Sequence, residues 1–330
     1  MTALAGKSVL VTGAGGFIGG HLVERLVRDG ARVRALCRYN SRNERGTLDW
    51  LDPEVTADVE VVLGELRDVE SVAAAVEGTE VVLNLAAQIA IPYSYVNPRD
   101  FFEVNVLGTM NVAQAALRHG VQRVVHTSTS EVYGSAQTVP ITEAHPLEPQ
   151  SPYAASKVAA DKLMDSYFRT FALPVIVLRP FNTYGPRQSA RAIIPTIISQ
   201  ALVGQTVRLG SLHPRRDLTF VDDTVAGFVA AATRDAGVGR TIQLGTNHDV
   251  SIGDLVDLVG EILGRELTVE IDPQRVRPEN SEVERLISGP FLASELLGWE
   301  PMVDLRDGLT RTIDWIERNP QRYRVDHYVI

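Results

Sequence analysis

The chain has 330 residues, 32 Lys and Arg against 41 Asp and Glu, a net charge of −9 and one cysteine, Cys37. This length allows one large domain or two modest ones with an ordinary apolar core, and a single thiol excludes an internal disulfide. The acidic balance without a basic tract argues against nucleic acid or an anionic membrane as the main partner. No secretory leader or long apolar run is visible, so we expect a cytoplasmic protein without a membrane-spanning helix.

Short β-branched runs alternate with longer helical patterns through the first 180 residues. Apolar runs separated by segments long enough for crossover helices predict a parallel sheet covered on both faces, which is a doubly wound α/β fold. The predicted strands are 8–12, 32–37, 59–63, 81–85, 123–127 and 175–178. The predicted helices are 17–29, 98–119 and 152–171, with Gly or Pro signals at their ends.

After residue 180 the pattern loosens into loops rich in Gly, Pro, Asn and Arg. Helices are predicted at 193–203, 221–232, 252–263 and 305–318, and strands at 241–244 and 267–271. We interpret residues 1–180 as the main domain and residues 181–330 as a smaller mixed lobe. The strand at 241–244 is expected to return to the main sheet.

A glycine cluster follows the first predicted strand and opens the first predicted helix. Gly13, Gly16 and Gly19 are its spaced members, with Phe17 and Ile18 between the last two. Such glycines allow a tight turn and the close approach of a pyrophosphate, while the helix N-terminus favours an anion. The strand, turn and helix context favours a Rossmann-like dinucleotide site over a simple tight turn.

The end of the second predicted strand bears on which dinucleotide is preferred. A carboxylate that binds the ribose 2′-hydroxyl of NAD usually stands there, but this chain has Arg38, Ser41 and Arg42 and no acid between residues 36 and 42. Arginines and a hydroxyl can bind a 2′-phosphate through charge-assisted hydrogen bonds. The sequence therefore favours NADP(H) slightly over NAD(H), unless these arginines are ordinary surface residues.

Tyr153 and Lys157 stand four residues apart on a predicted helix and so lie on one face. With nine tyrosines and three lysines in the chain, this spacing rarely arises by chance. An ammonium about 5 Å from a phenol, at an effective dielectric constant of about 20, favours the phenolate by roughly 3 kcal/mol. We expect Lys157 to lower the pKa of Tyr153 by about two units, less what burial restores.

Thr129, Ser130 and Glu131 follow the fifth predicted strand, at the carboxyl end where open α/β sheets bind ligands. A hydroxyl there can hydrogen-bond the oxygen of an alcohol that is being oxidised, and Thr129 is the candidate. Oxidation alone needs no carboxylate, whereas removal of a proton beside a new ketone does. Glu131 therefore points to a second chemical step, although alone it would be taken for a helix-capping or surface residue.

Together the glycine loop, Thr129 and the Tyr-x-x-x-Lys motif resemble the extended short-chain dehydrogenase/reductase family, in particular its nucleotide-sugar epimerases and dehydratases. The resemblance covers almost the whole chain and includes the motifs at 85–87, 179–186, 216–223 and 277–279. Thr-Ser-Glu is similar to the triad of GDP-mannose 4,6-dehydratases. The runs 39–43, 91–95 and 186–191 look like those of 4,6-dehydratases that act on nucleotide-linked N-acetylglucosamine in legionaminic-acid-type pathways.

The resemblance implies a nucleotide-sugar 4,6-dehydratase, in which Tyr153, assisted by Lys157, takes the C4 hydroxyl proton during hydride transfer to the nicotinamide. Glu131 then removes the C5 proton as water leaves C6, and the hydride returns to C6. Glucose 4,6-dehydratases carry Asp where this chain has Ser130, so Glu131 itself or a water must protonate the leaving hydroxyl. Thr129 would hydrogen-bond the C4 oxygen.

The resemblance also assigns binding residues by position. The first 180 residues would bind the dinucleotide and the smaller lobe the nucleotide sugar, and family members commonly form homodimers through the helices at 98–119 and 152–171. The further cofactor candidates are Glu65, Leu66, Leu85, Ala86, Ala87, Asn105 and Pro180, besides Tyr153 and Lys157. The substrate candidates are Ser94, Asn182, Arg191, Arg216 and Arg277, and no metal site is expected.

Three other functions remain open from the sequence. A nucleotide-sugar 4-epimerase uses the same Tyr and Lys, and UDP-glucuronate decarboxylases also carry Thr-Ser-Glu. A redox-sensing protein would hold the dinucleotide without turnover and would have no need for Tyr153, Lys157, Thr129 and Glu131 together. The nucleotide and the C2 substituent of the sugar are not readable from the sequence.

Overall fold

A computed structural model of the protein describes residues 3–276 and 282–323. The strands are β1 (Ser8–Thr12), β2 (Arg32–Cys37), β3 (Val59–Leu63), β4 (Val81–Asn84), β5 (Arg123–Thr127), β6 (Val175–Pro180), β7 (Asn182–Tyr184), β8 (Thr206–Leu209), β9 (Arg215–Phe220), β10 (Thr241–Leu244), β11 (Asp249–Ser251), β12 (Thr268–Ile271) and β13 (Arg285–Leu286). The α-helices are α1 (Phe17–Arg28), α2 (Pro53–Ala57), α3 (Val69–Val76), α4 (Ile91–Val96), α5 (Pro98–Phe102), α6 (Gly108–Arg118), α7 (Pro152–Phe171), α8 (Ile193–Val203), α9 (Val221–Thr233), α10 (Ile252–Leu263) and α11 (Leu305–Arg318).

Seven strands form one sheet in the order β10-β6-β5-β4-β1-β2-β3, and every neighbouring pair is parallel. From β1 the chain moves to one edge through β2 and β3, and then to the other through β4, β5 and β6. The order therefore reverses between β1 and β4, which is where such sheets bind ligands beyond their carboxyl ends. The predicted doubly wound parallel fold is confirmed.

Helices cover both faces of the sheet, as the continuous apolar strands require. On one face α3, α6 and α7 pack their buried residues against β4 and β5. On the other face α1 and α9 join an apolar cluster that continues into α8, α10 and α11. Each fully buried Val, Leu or Ile adds about 1.5–3 kcal/mol of favourable transfer free energy. The second cluster crosses residue 180, so both predicted parts share it, and the division at 180/181 stays an interpretation.

The strand at 241–244 returns to the main sheet as β10, beside β6, as the sequence predicts. Gln243 fixes it there, because its side-chain amide donates to the carbonyls of Ile141 and Gly289 and accepts from the hydroxyl of Tyr133. In the smaller lobe β9 pairs with β7, β11 and β13, and β8 pairs with β12. The sequence did not predict β9, whose buried Arg216 and Asp217 obscure its strand pattern.

Most predicted bounds agree with the structure within two residues, with one helix as the exception. The predicted helix 98–119 consists of α5, a π-helical segment (Glu103–Leu107) and α6. The π-segment directs Asn105 inward, where it bonds the backbone of Gln88 and the Ser156 hydroxyl. A hydrophobic repeat does not report such a local widening. No helix in the described ranges is long and apolar enough to cross a membrane.

Candidate active site

A cavity of about 740 Å³ opens at the carboxyl ends of the central strands. The glycine turn and the residues that follow β2, β3 and β4 line one part of it. The segments that follow β5 and β6, together with the start of α7, line the other part. The cavity therefore brings the glycine cluster and the Tyr-Lys motif into one site, although 140 positions separate Gly13 from Tyr153.

The glycine turn packs so closely that two of its positions exclude a side chain. Gly13 has a φ of +68°, and a Cβ there would lie 2.7 Å from the backbone nitrogen of Ala86. A Cβ on Gly19 would overlap the carbonyl oxygen of Gly13. These two constraints hold the turn against the loop after β4 and leave the N-terminus of α1 facing the cavity.

The residues around this part of the cavity fit a dinucleotide. The first turn of α1 presents free backbone N–H groups, and the partial positive charge of a helix N-terminus suits a pyrophosphate. All of the predicted cofactor residues near the glycine turn and the ends of β3, β4 and β6 line the cavity, namely Gly13, Gly16, Phe17, Ile18, Gly19, Glu65, Leu66, Leu85, Ala86, Ala87 and Pro180.

At the end of β2 only part of the predicted arginine cluster reaches the cavity. Arg38 lines it, whereas Ser41 and Arg42 do not. The reason is a compact turn in which the Asn40 side chain accepts from the backbone of Arg42 and Glu44. This turn carries Ser41 and Arg42 outward and places Asn40, Glu44 and Arg45 on the cavity wall.

The four main catalytic candidates line one wall together: Thr129, Glu131, Tyr153 and Lys157. Ser151 caps α7 by accepting from the backbone of Ala154, so Tyr153 and Lys157 occupy the first two turns of a well-anchored helix. Both side chains are buried. The structure thus assembles the Tyr-Lys pair beside a hydroxyl and a carboxylate.

Burial controls the pKa of Tyr153, contrary to our expectation from the sequence. The pKa of its hydroxyl is raised, mainly because burial disfavours the phenolate, and the charges of Glu131 and Asp161 raise it further. A hydrogen bond with Thr129 opposes this shift. The expected lowering by Lys157 is not seen, since the ammonium of Lys157 donates to the carbonyl of Thr127 at 2.6 Å.

Lys157 is itself perturbed. Burial lowers the pKa of its ammonium to about 8, and the nearby Asp161 carboxylate opposes this shift. A buried ammonium in this range holds a positive charge near neutral pH but loses it in mildly alkaline solution. The protonation state of Lys157 therefore changes with pH in the mildly alkaline range.

Thr129 and Glu131 are held by a short 3₁₀ turn (Ser130–Tyr133) after β5. The Thr129 oxygen accepts from the backbone N–H of Glu131 at 3.2 Å, and its hydroxyl also hydrogen-bonds with that of Tyr153 at the cavity wall. Within the described residues the Glu131 carboxylate has no ion pair or hydrogen bond, and it stays partly exposed on the wall. It is available as a proton acceptor.

Three predicted site residues are buried beside the cavity and do not line it. Ser94 is 0% exposed and donates to the carbonyl of Ile91 inside α4. Ser130 is buried in the 3₁₀ turn, and Asn105 is committed to Gln88 and Ser156. Asn105 therefore supports the cavity wall through Gln88, which does line it.

The predicted substrate arginines do not converge in this structure. Arg191 is exposed away from the cavity, and Arg216 is buried in the lobe, where it donates to the carbonyl of Val283 and pairs with Glu282. Arg277 lies outside the described residues. Asn182 alone of the polar substrate candidates lines the cavity, and its buried side-chain oxygen has no partner among the described residues.

Several lining residues were not predicted from the sequence. Gln188 is the most informative: its amide nitrogen donates to the carbonyl of Thr183, while its buried oxygen has no partner among the described residues. Gln188 belongs to the run 186–191, which supported the family resemblance, so the sequence already pointed to this segment. Besides Asn40, Glu44 and Arg45, the other polar side chains missed on the wall are Gln88, Thr127, Ser128 and Thr183. The described ranges contain no group of three or more His, Cys, Asp or Glu that could hold a metal ion.

Known proteins match the chain over nearly its full length. A family model described as GDP-mannose 4,6 dehydratase matches residues 10–312. A UDP-glucose 4-epimerase of Mycolicibacterium smegmatis is 36% identical over 94% of this chain and 99% of its own. A dTDP-glucose 4,6-dehydratase of Streptomyces antibioticus is 35% identical over 94% of this chain and 93% of its own.

Solved structures agree. The dTDP-glucose 4,6-dehydratase of Streptomyces venezuelae, crystallised with NAD bound, superposes with a TM-score of 0.86 at 31% identity. The match covers 96% of this chain and 99% of that one.

Replacement of Gly19 by Ala tests the glycine turn. We expect Gly19→Ala to weaken NAD⁺ binding by at least about tenfold, or about 1.4 kcal/mol, because the Cβ forces the turn away from the helix N-terminus. Isothermal titration calorimetry on protein freed of co-purified dinucleotide measures the effect. Gly204→Ala is the matched control, since a Cβ there meets nothing within 4 Å. Equal affinities for both variants would contradict the assignment of this turn.

Proposed function

Because this chain belongs to the GDP-mannose 4,6-dehydratase family of the extended short-chain dehydrogenases/reductases, we propose that it is a nucleotide-sugar 4,6-dehydratase. It is an enzyme of the NAD(P)-dependent sugar-nucleotide class. The observation that carries the narrower proposal is the unpaired Glu131 carboxylate on the same wall as Thr129, Tyr153 and Lys157. A carboxylate in this place serves elimination, whereas alcohol oxidation needs none.

In the first step Tyr153 accepts the proton of the substrate C4 hydroxyl. For this step the positive charge of Lys157, one turn further along α7, must offset the burial that raises the pKa of Tyr153. Thr129 donates to the C4 oxygen as a ketone forms there. A dinucleotide held by the glycine turn and by the residues after β3 and β4 would supply the hydride chemistry, as acceptor of the C4 hydrogen with its electron pair and donor of the same hydride to C6.

In the second step Glu131 removes the C5 proton, which the C4 ketone has made acidic. The C5–H electron pair forms the C5–C6 double bond as the C6 hydroxyl leaves. Glu131 then passes this proton to the departing hydroxyl, directly or through a bound water, so that the hydroxyl leaves as a water molecule. Return of the hydride to C6 and addition to C5 of one proton, which balances the C4 hydroxyl proton taken by Tyr153, gives a 4-keto-6-deoxy sugar with no net oxidation.

For the substrate we propose a nucleotide-linked hexose, with N-acetylglucosamine first among the sugars. The likeness of the runs 39–43, 91–95 and 186–191 to dehydratases of N-acetylglucosamine supports this choice. Asn182 and Gln188 offer buried side-chain oxygens to hydrogen-bond donors of such a substrate. The choice of nucleotide stays open.

The second candidate activity is 4-epimerisation, which the similarity to a UDP-glucose 4-epimerase favours. Epimerisation uses the same Tyr153 and Lys157 and returns the hydride to the other face of C4, so it leaves Glu131 without a role. Decarboxylation of UDP-glucuronate is the third, because that reaction also accommodates a Thr-Ser-Glu triad.

We further propose a homodimer that forms through α5, α6 and α7. Phe102 at the end of α5 is 42% exposed, Leu107 at the end of the π-helical segment is 49% exposed, and Phe171 at the end of α7 is 56% exposed. Apolar side chains of this size on adjacent helices are suited to cover one another in a second copy.

The first measurement is mass spectrometry of products from a panel of nucleotide sugars. It includes UDP- and GDP-N-acetylglucosamine, UDP-glucuronate, UDP-glucose and dTDP-glucose, each with NAD⁺ or NADP⁺. We expect one N-acetylhexosamine substrate to lose one water. A product of unchanged mass would instead indicate the epimerase, loss of carbon dioxide would indicate the decarboxylase, and the absence of turnover would favour a binding protein.

Glu131→Gln separates elimination from oxidation. We expect the rate of water loss to fall by about 10²–10⁴-fold, because the amide cannot accept the C5 proton. Reduced nicotinamide should still form in a single turnover, since Tyr153 and Lys157 are intact. Glu266→Gln, an exposed site outside the cavity, should behave as the unmodified protein. Unchanged water loss in Glu131→Gln would remove this residue from the mechanism.

For the cofactor we propose that NADP⁺ is bound in preference to NAD⁺, on the basis of Arg38. This side chain reaches the cavity and has no ion pair within the described residues, while Glu44 places a negative charge on the same wall. Arg38→Gln should therefore weaken NADP⁺ binding by about tenfold and leave NAD⁺ binding nearly unchanged. Glu44→Gln should strengthen NADP⁺ binding. Calorimetric Kd values decide, and equal or tighter NAD⁺ binding by the unmodified protein would refute the preference.

A further inference from the structure

Directly behind the Tyr-Lys pair lies a buried ion pair that the proposed reaction steps do not use. Asp161 stands one further turn along α7 from Lys157, so Tyr153, Lys157 and Asp161 share one helix face. One carboxylate oxygen of Asp161 accepts from Arg179 on β6 through Nε and Nη2, at 3.1 and 2.8 Å. The Ser128 hydroxyl donates to the same oxygen at 2.7 Å. The side chains of Asp161 and Arg179 are 4% and 5% exposed.

The second oxygen of Asp161 is differently placed. It is buried and has no hydrogen-bond partner among the described residues, and Nε2 of His126 lies 3.7 Å away. His126 is neutral, because burial and the positive charges of Lys157 and Arg179 lower its pKa well below the usual value. Asp161 thus retains one carboxylate oxygen that the ion pair with Arg179 does not occupy.

The charges around Lys157 come from a small set of side chains. Two of them are bases: Arg179, which is positively charged, and His126, which is neutral. The other three, Asp161, Glu131 and Tyr153, carry or can acquire a negative charge. Arg179 occupies one oxygen of Asp161 and leaves the other without a hydrogen-bond partner among the described residues, while Glu131 lines the open cavity. The Asp161 carboxylate is therefore the buried negative charge that stabilises the ammonium of Lys157.

We propose that Asp161 is a positioning residue that keeps Lys157 protonated, and that Arg179 limits how strongly it does so. The inference rests on the proposed function only in that the reaction needs an ammonium beside Tyr153. A purely structural ion pair would stabilise the fold and leave the protonation of Lys157 unchanged. The proposed role and a purely structural role therefore predict different effects on the protonation of Lys157, which can be measured.

Substitution of Asp161 and substitution of Arg179 should shift the titration midpoint of Lys157 in opposite directions. Asp161→Asn removes a negative charge and keeps the hydrogen-bonding shape, so the midpoint of Lys157 should fall by about one to two pH units. Arg179→Gln removes a positive charge and leaves Asp161 unopposed, so the midpoint should rise. Asp161→Glu retains the charge and should restore a midpoint near that of the unmodified protein.

The composition of the chain makes this measurement direct. It contains three lysines, Lys7, Lys157 and Lys162, so labelling lysine with ¹³C at Cε gives three signals to follow by NMR as pH is varied. Lys157→Arg assigns the signal of interest. The matched control is Asp235→Asn, which removes the carboxylate partner of another buried arginine, Arg123, on the far side of β5.

Opposite movements in Asp161→Asn and Arg179→Gln, with no movement in Asp235→Asn, would support the proposal. An unchanged Lys157 midpoint in Asp161→Asn, or a shift of the midpoint in the same direction in both variants, would overturn it. Should Arg179→Gln not fold, Asp161→Asn and its rescue by Asp161→Glu decide alone. The NMR titration needs no substrate, so it remains interpretable even if the panel of nucleotide sugars shows no dehydratase.

Kinetics adds a second readout where turnover is found. Because Lys157 must carry its proton, kcat should decline as pH rises through its pKa, and Asp161→Asn should move this decline to lower pH by the same interval as the NMR midpoint. The KM for the nucleotide sugar should change little, since Asp161 does not line the cavity. A lower kcat with an unshifted pH profile would contradict the proposed role.

Discussion

The structure depends on the requirement that polar groups withdrawn from water find partners inside the protein. Along the carboxyl ends of the central strands this requirement is met by a row of side chains, one strand after another. Thr12 donates to Asn84, and Asn84 contacts His126 at 3.2 Å. Beyond a gap of 3.7 Å the row continues through Asp161, Arg179, Tyr133 and Gln243. This row ties β1, β4, β5, β6 and β10 at one level, and none of its side chains lines the cavity.

The two parts of the cavity use different chemistry. The glycine turn offers backbone N–H groups at a fixed helix end, and it tolerates no side chain at Gly13 or Gly19. The opposite wall offers the titratable groups Tyr153, Lys157 and Glu131, whose protonation depends on burial and on neighbouring charge. One wall is suited to a ligand of constant charge, and the other to a substrate whose protons move.

The sequence predicted the parts of this arrangement that are local. Strand and helix periods, the glycine turn and the i, i+4 relation of Tyr153 and Lys157 follow from short spacings, and the structure places these residues together. It could not predict long-range pairing, so the partners of Asp161 were missed. The pKa of Tyr153 was misjudged for the same reason, because burial is set by segments distant in sequence.

The late position of β10 in the chain affects the order in which the protein can be built. β6 ends at Pro180, and its outer edge pairs with β10, which begins at Thr241. A ribosome adds about 5–20 residues per second, so the intervening 60 residues take roughly 3–12 seconds to emerge. During that time β6, buried along its whole length in the finished fold, exposes an apolar edge strand. The nascent chain therefore passes through a stage at which a chaperone or a second nascent chain competes with β10 for that edge.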